Sequence, residues 1–473
     1  MRHPKALPFL FLTEMWERFG FYVVQGLLIL YMTQAFHFSD DLSYTILGLF
    51  SAFAYISPMI GGLIADRLLG FKRSIVWGAL FLSAGYAFLA VATVQQFFYA
   101  LAIIVIGNGL FKPNISSLLG SLYPANNNLR DAGFTLFYVG INIGVLLCGL
   151  FSGYIKNQYG WHAGFALASV GLLIGLSIFA TGLKFGFISH QNHKSKKSYP
   201  RFLNPFALLL YCFLTIPILS VLLKTTFLAK WLLPSVGILL IGFMFYLAFR
   251  QTEKKDRANL LYLNILIIAS IIFWMMFLQI FFSANLFIER IVNKTIGGFT
   301  LPTTVFYTFE PIFVILLGPF FATLWEKLNE KNCNPSPYLK FVVAIALVGF
   351  SFLTLTLSTY TTNTVNPFWI VLAYFFLTIG ELLLSPIGLS AVTQLSPSHL
   401  TGMMMGIWFV ALGFGGEFAG LLATFSSIPN TVTALADQII IYRHAFFYYA
   451  IIAFGLSFIL FIAQILYIKK LND

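Results

Sequence analysis

Charge is what this sequence has least of. Of its 473 residues only 9% are Asp, Glu, Lys or Arg, while 59% are hydrophobic. A soluble domain carries about 25% charged residues, so this chain cannot clothe a water-facing surface, and lipid is the solvent its composition suits. Cysteine is scarcer still. Cys148, Cys212 and Cys333 are odd in number and two of them lie inside apolar runs, so no disulfide framework is implied. Histidine offers no metal site, because none of His3, His37, His162, His190, His193, His399 and His444 lies deep in an apolar run. No Ser/His/Asp set converges, which argues against a membrane-embedded enzyme, and no metal or other cofactor is expected. The short alternating segments of an outer-membrane barrel are missing. So is the basic face of a nucleic-acid binder: the net charge of +12 is dispersed through short loops. No cleavable signal peptide is evident, and the first apolar run reads as a span that stays.

What the sequence does have is long apolar runs, each able to cross a hydrocarbon core of about 30 Å as a helix. Helices are required because lipid offers nothing to pair an open backbone. We expect an all-α membrane protein of fourteen spans, roughly at 7–36, 44–69, 74–94, 97–122, 132–157, 161–184, 205–223, 232–249, 259–284, 300–326, 338–359, 366–395, 401–426 and 441–468. Turn signals agree: Ser39-Asp40-Asp41, the stretch from Pro124 to Asn128, and Asn334-Pro335-Ser336-Pro337. An even count puts both termini on one side. Nineteen loop Lys and Arg residues fall on that side against six on the other (Lys156, Lys224, Lys230, Arg290, Lys294 and Arg443), so the termini are expected in the cytoplasm and the chain in the plasma, or inner, membrane. The most basic linker, 184–204, and a second basic stretch, 250–257, bracket two plain apolar helices. The expected organisation is a six-helix bundle over 1–184, linkers and a two-helix insert over 185–257, and a second six-helix bundle over 258–473.

Seven charges do not fall in loops: Glu14, Glu17, Arg18, Lys112, Glu310, Glu381 and Glu417. A charge at helix centre costs roughly 2.5–3.5 kcal/mol, so seven unpaired would cost on the order of 20 kcal/mol. They are expected to pair with one another or to face a water-filled cavity. Glu17, Lys112 and Glu381 each lie about ten residues from the cytoplasmic ends of their spans, a depth of about 15 Å. Glu14 is spaced three and four residues from Glu17 and Arg18 and shares a helix face with both. Lys112 precedes Pro113, which removes a backbone hydrogen bond and favours a kink. Buried charge on several helices is what a gated transporter needs at each turnover.

These residues also carry a family resemblance. Glu14-Met-Trp-Glu17-Arg18-Phe19-Gly-Phe-Tyr22 resembles the ExxERFxYY signature of the proton-dependent oligopeptide transporters, a branch of the major facilitator superfamily. Gly107-Asn108-Gly109-Leu-Phe-Lys112-Pro113-Asn114 is similar to the family's fourth-helix motif, and Phe137-Tyr138-Val-Gly-Ile141-Asn142-Ile-Gly144 to its FYxxINxG signature. Phe273-Trp274 with Gln279, and the run Gly380-Glu381-Leu-Leu-Leu-Ser385-Pro386, resemble its seventh and tenth core helices. Gly61 to Arg73, with Asp66-Arg67 and Gly70, resembles the loop motif of the whole superfamily.

The resemblance implies a major facilitator fold, two six-helix bundles with the two-helix insert typical of bacterial members. It implies proton-coupled symport of small peptides or peptide-like solutes by alternating access, with the substrate, protons and the bilayer as partners. An alternative within the superfamily is a proton-coupled antiporter exporting an amphiphilic cation. The family roles carried over are proton coupling for Glu14, Glu17 and Arg18, joined here by Glu310, and a cytoplasmic gate formed by Lys112 and Glu381. Tyr22, Asn142, Trp274, Gln279, Ser385 and Trp408 would line the cavity with Lys112, Gln25, Glu310 and Glu417. The last three depart from the family pattern: Gln25 stands where peptide-transporting members usually carry arginine, Glu310-Pro311 where Asn-Pro is common, and Glu417 where an uncharged residue is expected. Phe21 likewise replaces the first tyrosine of the pair. The excess of acid shifts the expected substrate toward one with more positive charge.

Overall fold

The computed structural model describes residues 3–123, 129–188, 203–360, 364–397 and 399–472. Arg2, the turn signal from Pro124 to Asn128, His190, His193 and the core of the basic linker, with Lys194, Lys196, Lys197 and Arg201, lie outside the described residues. The chain divides into two compact units, one made of Met1–Tyr31 and Phe53–Thr226, the other of Met32–Ala52 and Phe227–Asp473.

Among the described residues, twelve helical runs are long and apolar enough to cross a membrane. Two further spans complete the expected fourteen. Helix α1 (Leu7–Gln34) has 28 residues, enough to cross, but the charges it embeds lower its hydropathy. Helix α5 (Leu129–Lys184) carries two spans in one run, broken where Gly160 takes φ 84° and ψ 179°, a conformation open to a residue without Cβ. The break falls between the expected spans 132–157 and 161–184.

In the first unit, α1, the second half of α2 (Asp40–Ile64), α3 (Phe71–Val91), α4 (Val94–Ser121), α5 and α6 (Leu203–Lys224) pack through small residues. Helices in lipid gain little from apolar burial and associate by close backbone approach. A Cβ added at Gly61 of α2 would lie 1.9 Å from the Gly109 carbonyl oxygen of α4, and one at Gly107 would lie 2.6 Å from the Leu82 nitrogen of α3. The two arms of α5 both close on α1. A Cβ at Gly144 would meet the Met15 carbonyl oxygen at 2.4 Å, and one at Gly171 the Phe19 ring at 2.7 Å. Helix α6 adds Leu208 and Cys212 to a buried cluster with Leu69, Ile106 and Leu110.

The second unit holds α7 (Thr226–Phe249), α8 (Lys254–Phe277), α9 (Ser283–Ile291), α10 (Phe309–Glu330), α11 (Pro337–Ser358), α12 (Phe368–Leu395), α13 (Thr401–Ala423) and α14 (Leu435–Asn472). Helices α8 and α9 together form one span. Asn264 of α8 donates to the Met244 carbonyl of α7 at 2.9 Å, and a Cβ at Gly237 of α7 would touch the Phe414 ring of α13. The expected span 300–326 is the helical run Thr303–Glu330. A hairpin of β1 (Thr295–Ile296) and β2 (Phe299–Thr300) turns through Gly297 and Gly298, both at positive φ, and a 3-10 turn over Thr303–Thr308 precedes α10. Adjacent glycines at positive φ are what a two-residue hairpin turn demands.

The close α2–α4 crossing gives a direct test. Gly61→Ala forces backbone against backbone and should destabilise the protein by about 1–3 kcal/mol, the cost of overpacking a tight core. Gly242→Ala in α7, where nothing lies within 4 Å of the added Cβ, should leave stability unchanged or raise it. Thermal unfolding of the two variants in detergent checks the contrast.

Candidate functional site

In the first unit the structure gathers Glu14, Glu17 and Arg18 as the sequence implied. The Arg18 guanidinium donates from Nε and Nη2 to the two oxygens of Glu17, each at 2.6 Å. Consecutive residues do not normally face each other on a helix, and the long arginine chain folds back to reach its neighbour. Glu14, one turn away, forms a second ion pair, its Oε1 3.7 Å from Nε. All three side chains are at most 2% exposed. Such a fork-to-fork pair is the strong form of a charged hydrogen bond and fixes both side chains. Asn108 locks the arrangement to its surroundings: its Oδ1 accepts from Arg18 Nη2 at 3.2 Å, and its Nδ2 donates to the Ala54 carbonyl at 2.6 Å. Asn108 was legible only as part of a motif, since an isolated Asn in an apolar run carries no signal of its own.

Lys112 lies one turn further along α4, half-buried, with its ammonium 5.1 Å from the centroid of the Tyr55 ring. Tyr22 is half-buried and Gln25 is buried on α1. Asn142 of α5 is buried and donates to the Tyr138 carbonyl at 3.0 Å.

In the second unit Glu310 lies buried in the first turn of α10, and Glu381 of α12 is half-buried. A carboxyl group at a helix N-terminus meets the positive end of the helix dipole. Glu417 of α13 is 2% exposed, and its Oε2 has no hydrogen-bond partner among the described residues. Trp408 is 3% exposed and packs on Gly388, where an added Cβ would lie 2.0 Å from the indole. Trp274 and Ser385 are half-buried. Gln279 donates to the Ala419 carbonyl at 2.9 Å and accepts from the Ser283 hydroxyl at 2.6 Å, so it ties the end of α8 to α13.

Sequence reasoning missed a charged network elsewhere in this unit. Arg290 of α9 donates to both oxygens of Asp40 at 2.7 and 2.8 Å, and Asp40 also accepts from the Ile428 amide at 3.0 Å. Glu289 accepts from Gln34 at 2.9 Å and from Lys294 at 2.6 Å, and also bonds to the Thr303 hydroxyl. Charges at span ends read as loop residues, and no spacing rule links positions 40 and 290.

The family model described as the POT family matches residues 72–440. The chain is 34% identical to the peptide transporter YePEPT of Yersinia enterocolitica, an alignment covering 89% of this chain and 87% of that one. It is 32% identical to dipeptide and tripeptide permease B of Salmonella typhimurium, covering 94% and 92%. Among solved structures, a crystal structure of peptide transporter POT in complex with sulfate superposes with a TM-score of 0.84 at 30% identity, covering 98% of this chain and 94% of that one. Tetrameric PepTSo2 superposes with a TM-score of 0.86 at 28% identity, covering 99% of each. These relatives bear peptide-transport names, and the antiport alternative finds no support among them. The helical architecture is therefore that of the major facilitator fold, and the chain belongs to the POT family of transporters.

Proposed function

We propose that this protein is a proton-coupled symporter that imports small peptides or peptide-like solutes by alternating access across the plasma, or inner, membrane, with both termini in the cytoplasm. The observation that carries the reading is the Glu14–Glu17–Arg18–Asn108 cluster, fixed by short hydrogen bonds inside a span of a POT-family chain. Buried ionisable groups on helices that would otherwise be apolar mark proton and substrate pathways. Two six-helix bundles, residues 1–184 and 258–473, would move about the site, with residues 185–257 connecting them. Glu14, Glu17, Arg18 and Glu310 carry the proton coupling, and Lys112 with Glu381 closes the cytoplasmic side. Tyr22, Gln25, Lys112, Asn142, Trp274, Gln279, Glu310, Ser385, Trp408 and Glu417 recognise the substrate, Gln279 by holding the end of α8 against α13.

The driving force suffices. One charge crossing 100 mV supplies about 2.3 kcal/mol, and one pH unit about 1.36 kcal/mol. Together they support roughly 500-fold accumulation, at 1.4 kcal/mol per factor of ten.

The coupling assignment is tested in proteoliposomes. Glu17→Gln removes the anion that holds Arg18 and should abolish pH-driven accumulation of a labelled dipeptide, while counterflow exchange falls less. Undiminished uphill uptake by that variant would rule the cluster out. Lys112→Ala should stop both uphill uptake and exchange, because the gate loses its cation. Retention of either at the wild-type rate contradicts the gate.

Recognition is tested by competition. The cavity set holds more acid than base, and Gln25 leaves Lys112 as the cation available to a peptide carboxylate. C-terminal amidation of a dipeptide should therefore weaken binding less than N-terminal acetylation does. A lost charged hydrogen bond costs roughly 1.5–3 kcal/mol, so acetylation should lower affinity by about 10- to 150-fold. The opposite order would refute the amine preference.

A further inference from the structure

The two-helix insert is shared between the two units. The chain passes from the first unit to the second between Thr226 and Phe227. Helix α6 lies before that point and α7 begins at it, with Thr225 the one residue between the two helices.

Each arm is tied to its own unit. Helix α6 buries Leu208 and Cys212 with Leu69, Ile106 and Leu110, and its Leu219 packs on the same cluster. Helix α7 is tied by polar contacts. Asn264 of α8 and Met244 are buried, and the Asn264 amide donates to the Met244 carbonyl at 2.9 Å. Arg257, in the first turn of α8, donates to the Phe249 carbonyl at 3.2 Å and to the Gln251 carbonyl at 3.3 Å. The last carbonyls of a helix have no partner within it, and a cation placed on them also meets the negative end of the helix dipole. Lipid offers nothing that could replace the Asn264 bond.

Freedom to bend is concentrated between these anchors. The other two crossings of the chain between the units, Tyr31 to Met32 and Ala52 to Phe53, fall inside α1 and α2. Bending an unbroken helix there would cost backbone hydrogen bonds. At the third crossing α6 has already ended: the Thr225 amide donates to the Val221 carbonyl at 2.9 Å, and the Thr225 hydroxyl donates to the same oxygen. Pro217 lies inside α6 and Pro234 inside α7, each about two turns from Thr225, and each removes a helical hydrogen bond. Hinges are built from a few residues at element ends that take up large changes in φ and ψ.

We propose that α6 and α7 form a jointed strap between the two units: each arm travels with its own unit, and the joint at Thr225 opens and closes as the units move. The proposal rests on the alternating-access reading and gives the insert a mechanical part in it. It needs only the connectivity of the chain and the anchors within each unit.

The test is double electron–electron resonance on spin-labelled cysteine pairs in lipid nanodiscs. The background is Cys333→Ser, because Cys148 and Cys212 are buried and Cys333 is exposed. The labelled positions are exposed. Leu209→Cys with Val91→Cys reports within the first unit, and Leu239→Cys with Phe458→Cys within the second. Leu209→Cys with Leu239→Cys spans the joint, and Val91→Cys with Phe458→Cys follows the units against each other. Distances are compared across a pH series with and without saturating dialanine. The inter-unit and cross-joint distances should shift together, while both within-unit distances stay inside the width of their own distributions. A shifting inter-unit distance with a fixed cross-joint distance overturns the strap, because the insert would then ride as one body. A shift in either within-unit distance overturns it too, because that arm would not be anchored. An inter-unit distance fixed under every condition contradicts alternating access, and the strap with it. Leu210 and Ile238, exposed neighbours on the same arms, take the labels if size-exclusion and thermal profiles show that a variant fails to fold.

Discussion

The constraint on which this structure turns is the cost of charge inside lipid. Every ionised group placed in a span must be matched by an opposite charge, a donor or a proton. The Arg18–Glu17 fork is the fullest answer. Two hydrogen bonds of 2.6 Å fix a cation and an anion inside α1, and Asn108 carries the arrangement across to α4 and the Ala54 carbonyl. Gly107 and Gly109, which flank Asn108, let α4 approach α3 and α2 at backbone distance. The motif residues of α4 thus do two jobs: the glycines bring the helices together and the asparagine serves the ion pair that the contact encloses.

The two units meet this constraint differently. In the spans of the first, Glu14 and Glu17 stand with Arg18 and Lys112, so acid and base balance. In the spans of the second, Glu310, Glu381 and Glu417 lie deep, while Lys340 sits in the first turn of α11 over a tryptophan ring. An acid excess without matching bases must be neutralised by protons or by what the protein binds. A cationic amine on the substrate would answer part of it. On this account the departures from the family pattern at Gln25, Glu310 and Glu417 form one adjustment toward positive charge in the cargo.

Much of this was legible before any coordinates. The span count follows from apolar length, and even the break in α5 lies where Gly160 separates two runs. The charged positions stood out because charge is rare in the spans. Pairing was less legible. Spacing of three and four residues brought Glu14, Glu17 and Arg18 together, but not the fork of the guanidinium onto its immediate neighbour Glu17, a side-chain choice that helix periodicity does not encode. The hairpin at Gly297 and Gly298 was hidden because its apolar flanks, Ile296 and Phe299, resemble the edge of a span. The Asp40–Arg290 pair was hidden by its position, since charges at span ends are what every membrane protein has.

The central claim is that proton and peptide move together and in the same direction. The most direct measurement loads proteoliposomes with a pH-sensitive dye at equal pH on both sides, clamps the membrane potential at zero, and adds a dipeptide outside. The account predicts acidification of the interior that begins with peptide entry, saturates with peptide concentration and is absent in Lys112→Ala. Peptide entry with no change in internal pH, or with alkalinisation, would contradict it.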